Sequence, residues 1–120
     1  MISGIISVQT ASWVHVVLSH DVGRYYRKLY QKFCGIKLER PKHDEHITII
    51  SPKDKYQITP ENIHIFCRTV ELEIILKPAT NNNAIWYPVK SEDIDQIRKS
   101  LGLGEPAIPL HYCIGYVPQH

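Results

Sequence analysis

Thr69-Val70-Glu71-Leu72-Glu73-Ile74-Ile75-Leu76-Lys77 sets the fold class of this chain. Val70, Leu72, Ile74 and Leu76 alternate with Glu71 and Glu73. A period of two is that of a strand with one face on a core and the other in water. Asn81, Asn82 and Asn83 then form a turn, because asparagine tolerates left-handed backbone and bonds to its own main chain. Ala84 to Val89 follows as a second strand, so the two predict an antiparallel hairpin with a somewhat long loop.

Toward the C-terminus, Ser91 is an N-cap with Glu92 and Asp93 in the first turn. Ile94, Ile97 and Leu101 recur at helical spacing until Gly102 and Gly104. Beyond Pro106 and Pro109, Leu110 to Val117 reads as a short apolar strand. Toward the N-terminus, Ile5 to Val8 and Trp13 to Ser19 are β-branched and aromatic around a polar break, predicting one or two strands. Asp21 is placed to cap a helix from Val22 to about Cys34. Val22, Tyr25, Tyr26, Leu29 and Phe33 form its apolar stripe, Arg24, Arg27, Lys28 and Lys32 its other face, and Gly35 its stop. A polar stretch with Pro41 leads to a strand from His46 to Ser51, then a loop carrying Pro52 and Pro60.

The chain has 120 residues, 43% of them hydrophobic, and neither an internal repeat nor a linker, which predicts a single domain over residues 1–120. No apolar run approaches the roughly 20 residues that span a bilayer, and the first residues lack a signal-peptide pattern. The expectation is a protein that stays in the cytoplasm and meets no membrane. Cys34, Cys67 and Cys113 are odd in number and lack a CxxC pair, against both a disulfide framework and a cysteine zinc site. A net charge of +2 suits a small anionic ligand and requires no long nucleic acid.

Two triplets carry the chemistry: His46-Ile47-Thr48 and His111-Tyr112-Cys113, each opening a predicted strand. Positions i and i+2 of a strand share a face, so His46 projects with Thr48, and His111 with Cys113. Two such strands side by side would present two imidazoles to one cleft. One neutral imidazole can take a proton from an attacking hydroxyl while an imidazolium gives one to the departing oxygen, which suits phosphodiester cleavage. Thr48 could donate a hydroxyl to the phosphoryl oxygens, whereas the Cys113 thiol is a weak donor.

Other readings compete. His43 and His46, three apart, could bind a metal with His111 and with Asp44 or Glu45, although no HExxH motif is present. Cys113 could act as a nucleophile with His46 or His111 as its base. Any one of these histidines, taken singly, is more often an ordinary packing or surface residue.

Paired H-x-[T/S] motifs on strands in the two halves of a small α/β chain resemble the 2H phosphoesterase superfamily. Further likeness lies in Asp21-Val22-Gly23-Arg24-Tyr25-Tyr26-Arg27, in Gly35-Ile36-Lys37-Leu38-Glu39-Arg40-Pro41, in Asn81-Asn82-Asn83-Ala84-Ile85-Trp86-Tyr87, in Ile97-Arg98-Lys99-Ser100-Leu101-Gly102-Leu103 and in Leu110-His111-Tyr112-Cys113-Ile114-Gly115. Together these are similar to the phage anti-CBASS cyclic-oligonucleotide phosphodiesterases, over roughly residues 13–117. The resemblance implies an α/β (α+β) fold of two lobes, with two antiparallel sheets around a central cleft and helices packed outside. The halves are expected to meet near Lys55 to Pro60.

It also implies metal-independent hydrolysis, without a cofactor, of cyclic di- or trinucleotides in the host bacterial cytoplasm. His46, Thr48 and His111 match the motif, and Cys113 departs from its second hydroxyl. Trp13, Trp86 and Tyr116 are the aromatic candidates for stacking on bases, and each reads as well as a packing residue. Two alternatives within this frame are a binding module that keeps the fold without cutting, and a hydrolase of RNA 2′,3′-cyclic phosphate ends. The preferred nucleotide, the division of acid and base between the histidines, and the oligomeric state stay open at the level of sequence.

Overall fold

The computed structural model of the chain describes residues 2–40, 46–81, 83–106 and 109–118. The alternation at Thr69–Ile74 becomes strand β4, with Val70, Leu72 and Ile74 buried and Thr69, Glu71 and Glu73 exposed. Around it, in chain order, are β1 (Ile2–Thr10), β2 (Trp13–Val17), α1 (His20–Cys34), β3 (His46–Ile50), β5 (Ala79–Asn81), β6 (Ala84–Lys90), α2 (Glu92–Ser100) and β7 (His111–Tyr116). The fold is mixed α+β, mostly antiparallel sheet with two helices.

The strands run β3-β2-β1-β4-β6-β5, with β7 on β6, and every pairing is antiparallel. The two separate sheets expected from the sequence are therefore one sheet with a narrow neck. β4 meets β6 only over Glu73–Lys90 and Ile74–Val89, after which Ile75 N–H still donates to the Pro88 carbonyl at 2.9 Å. The anticipated hairpin is interrupted for the same reason. Its first arm ends at Ile74 and resumes as the three-residue β5, pairing Ala79–Asn81 with Ala84–Trp86. Asn83 takes the predicted left-handed conformation in the turn, at φ 68°.

Both helices contribute to the core on the side of Val14, Val16, Ile47, Leu72, Ile85 and Tyr112: Tyr30 from α1, and Ile94 and Ile97 from α2. α2 starts where Ser91 predicts, its hydroxyl accepting from Ile94 N–H at 3.2 Å. α1 begins earlier than expected. Ser19, not Asp21, is the N-cap position, and its carbonyl accepts from Val22 N–H at 3.1 Å, leaving Asp21 in the first turn near the positive end of the helix dipole. The packing stripe also shifts. Tyr25 and Phe33 are 60% and 77% exposed, whereas Tyr26 sits against Tyr87 with ring centroids 5.6 Å apart. Gly35 ends α1 at φ 67°, as its lack of a Cβ allows. Two 3-10 turns, Pro52–Asp54 and Ile63–Phe66, occupy the stretch expected to be loop, and Phe66 fills the core.

The outer strands β3 and β7 come together in space, although they are far apart in sheet order. Near the end of β7, Glu39 closes the strand edge, exchanging backbone hydrogen bonds with Tyr116 at 2.8 and 2.9 Å. Gly115 makes this possible, because a Cβ there would lie 2.5 Å from the Glu39 carbonyl oxygen. Backbone bonded on both sides cannot retreat as a flexible side chain does. Gly115→Ala is therefore expected to lose about 1–3 kcal/mol of stability by overpacking. Urea unfolding of the variant beside the parent checks this, and equal midpoints would contradict the close approach.

Candidate active site

Strand alternation sorts the candidate residues. Val14, Val16 and Ile47 face the core, so Trp13, His15 and Val17 of β2, and His46 and Thr48 of β3, share the opposite face. The register pairs Val17 with His46 and His15 with Thr48. A bulge follows, Val14 pairing with Ile50, which lets Ile49 and Ile50 both be buried. On the other half of the sheet, Tyr87 pairs with Tyr112 in the core, so Trp86 and Pro88 share the non-core face with Cys113 and His111.

Where β3 and β7 approach, a cavity of about 290 Å³ opens between the Pro52–Asp54 turn and Pro106 and Pro109. Thr48 from β3 and His111 from β7 both wall it, with Trp13, Ser51 and Lys53. Thr48 and His111 thus share the cavity wall, whereas His46, the other histidine expected there, is not among the lining residues. His46 stands on the same face two residues before Thr48, half-buried, its ring stacked on that of His15 with centroids 4.0 Å apart and planes 12° apart. Trp13 meets His15 edge-on at 5.1 Å.

His111 is oriented by its own strand entry. Its Nδ1 lies 3.0 Å from the Pro109 carbonyl oxygen, which can only accept, so Nδ1 carries the proton and Nε2 is the nitrogen available for proton exchange. Trp86 packs its ring on His111 at 5.5 Å and 65° rather than lining the cavity, which gives it a supporting place instead of the stacking one considered from sequence. Tyr116 is likewise outside the cavity lining, at the far end of β7 beside Cys113.

Cys113 is half-buried and donates toward the Gly115 carbonyl at 3.8 Å. Burial pushes its thiol pKa up, against smaller opposing effects of the Gly115 carbonyl, Tyr116 and Arg27. A thiol held protonated at neutral pH is a poor nucleophile, and it too lies outside the cavity lining. The nucleophilic reading of Cys113 therefore gains no support from its surroundings. Among the described residues no group of three or more His, Cys, Asp or Glu is placed to hold a metal. His43, Asp44 and Glu45, invoked for a metal site, lie outside the described residues.

Four contributors escaped the sequence reading. Ser51 and Lys53 follow the first motif directly, and His15 shares the i, i+2 parity of Trp13, a signal that was legible. The fourth, Arg98, is 3% exposed. Its Nη1 and Nη2 bind Asp54 at 3.1 and 3.0 Å, Nη1 also donates to the Ile49 carbonyl at 2.9 Å, and Nε to the Gly104 carbonyl at 3.0 Å. One guanidinium thus ties the end of β3, the Pro52–Asp54 wall and the start of the loop that leads to His111.

No protein-family model, curated protein or solved structure matches the chain. Among the described residues no helix is long and apolar enough to cross a membrane.

The Arg98 hydrogen bonds hold the Asp54 carboxyl below its ordinary value of about 3.8, outweighing desolvation. The unfolded state then takes up the proton first. The stabilisation is complete above the unfolded pKa and disappears as pH falls through the lower folded one. Arg98→Met is expected to cost about 3–5 kcal/mol at neutral pH, since it leaves the Asp54 charge without its cation and with only the Ser51 N–H as a partner. Its deficit should shrink below about pH 4 as that carboxylate is protonated. Thermal unfolding from pH 3 to 7 reads both features, and a deficit that does not vary with pH would contradict the ion pair as its source.

Proposed function

We propose that the chain is a metal-independent phosphodiesterase of the 2H type, acting on cyclic di- or trinucleotides linked 3′,5′. The observation that carries this reading is the shared cavity wall of Thr48 and His111, one residue from each H-x-[T/C] triplet, with His46 on the same face. In favour of the reading, the neck between β4 and β6 divides the one sheet into a β3-β2-β1-β4 half that carries one triplet and a β6-β7 half that carries the other.

The chemistry follows from the side chains present. A ribose 2′-hydroxyl attacks the adjacent phosphorus as one imidazole takes its proton. The bond from phosphorus to the 5′ oxygen breaks, and the other imidazole gives that oxygen a proton. The ring opens to a 2′,3′-cyclic phosphate, which water then hydrolyses with the two histidines exchanging roles. His111, with Nδ1 committed to the Pro109 carbonyl, works through Nε2. The Thr48 hydroxyl and the Lys53 ammonium, both on the cavity wall, supply donors and charge for the phosphoryl oxygens as negative charge builds. The protonated Cys113 is no equivalent of the hydroxyl found at that place in the superfamily, so phosphoryl stabilisation falls mainly to the β3 side.

The test is chromatography of 3′,3′-cyclic GMP-AMP incubated with the protein in excess EDTA, with RNA ending in a 2′,3′-cyclic phosphate as a second substrate. Ring-opened dinucleotide is expected from the parent, and a loss of about 100-fold or more for His46→Ala and for His111→Ala, the usual scale of a missing acid or base. Cleavage of the RNA end alone would move the reading to that hydrolase. Binding of intact cyclic dinucleotide, unchanged by both substitutions, would replace it with a sequestering module.

A further inference from the structure

The third histidine is used by neither triplet. His15 is 8% exposed between Val14 and Val16, both of which are fully buried. Its ring nevertheless lies on the face opposite those two, where it meets His46 plane to plane at 4.0 Å and takes the edge of Trp13 at 5.1 Å. His15 is paired on both sides, with Ser7 of β1 and Thr48 of β3, so its backbone is fixed within the sheet. His46 is the first residue of β3, its backbone paired with Val17. The plane of an imidazole is set by two side-chain torsions, and the His15 ring lies flat against that of His46.

We propose that His15 is a positioning residue for His46: it fixes the plane of the His46 imidazole, and through that plane the direction of its ring nitrogens. The proposal rests on His46 taking part in the chemistry above. What it requires of position 15 is a flat aromatic face, not an ionisable nitrogen. Aromatic pairs favour defined ring geometries because of their quadrupoles, whereas an aliphatic side chain of similar volume fills space without orienting a ring.

The distinction can be measured with His15→Phe, which keeps a flat ring, and His15→Leu, which keeps bulk without one. His15→Leu should lose about 100-fold in kcat on 3′,3′-cyclic GMP-AMP, the scale for a misaimed catalytic group. Its KM should change less than about threefold, because His15 is not itself among the residues lining the cavity. His15→Phe should keep kcat within about threefold of the parent. In spectra of protein with labelled histidine, the His46 ring protons should keep their stacking-induced shift in the parent and in His15→Phe, and lose it in His15→Leu. Circular dichroism selects the folded variants, and if His15→Leu does not fold, His15→Met takes its place.

Equal kcat in the Phe and Leu variants would overturn the proposal. So would a Phe variant as impaired as Leu, since that would put the His15 nitrogens to use. If no protein cleaves, the parent included, the functional reading fails by itself, and the His46 ring shifts alone decide whether His15 orients that ring.

Discussion

The geometry of the cavity depends on an almost wholly buried charge. The Arg98 guanidinium, 3% exposed, spends its donors on the Asp54 carboxylate, the Ile49 carbonyl and the Gly104 carbonyl. Any of these left without its partner in the interior would be costly. The arrangement therefore holds together or fails together. Its members belong to the end of β3, the turn directly after it and, far along the chain, the loop after α2. The last two lead to opposite walls of the cavity. A hydrophobic contact at the same place would tolerate sliding, whereas a bidentate ion pair fixes distance and direction at once.

Around that brace, strand parity decides which side chains meet. Successive residues of a strand point to opposite faces, so the apolar positions that bury Val14, Val16 and Ile47 place Trp13, His15, His46 and Thr48 together on the other side. The same rule, through the Tyr87–Tyr112 pair, places His111 and Cys113 with Trp86. The approach of β3 to β7 then brings Trp13 and Thr48 from one set and His111 from the other, each fixed by a core it does not belong to, to one cavity. Polar groups held by buried neighbours lose little freedom on meeting a ligand, which is the condition for preorganised catalysis.

Much of this could be read from the sequence, and the failures have physical causes. β4 and α2 were legible because Val70, Leu72 and Ile74 keep a strict period of two and Ser91 is a cap with acids behind it. β5 was not, since three residues, Ala79–Asn81, carry no period and owe their strand conformation to pairing with β6. The joining of the two expected sheets rests on a neck of two residue pairs, a tertiary matter that local pattern does not encode. His46, Thr48 and His111 stood out as motifs, yet His15 passed for one more residue in an apolar strand. Arg98 was given no role of its own, although it lies four residues after Ile94 and three before Leu101, on the buried stripe of α2. Trp86 and Tyr116 were named for their chemistry alone, and the register sends them to support His111 and Cys113 instead of lining the cavity.

The central claim is that His46 and His111 act on one phosphodiester. It is tested most directly by titrating the protein, with its histidine rings labelled, against a phosphorothioate analogue of 3′,3′-cyclic GMP-AMP that resists cleavage. The His46 and His111 ring signals should move together and saturate at the same ligand concentration. Saturable binding that shifts one of these rings and leaves the other in place would contradict it.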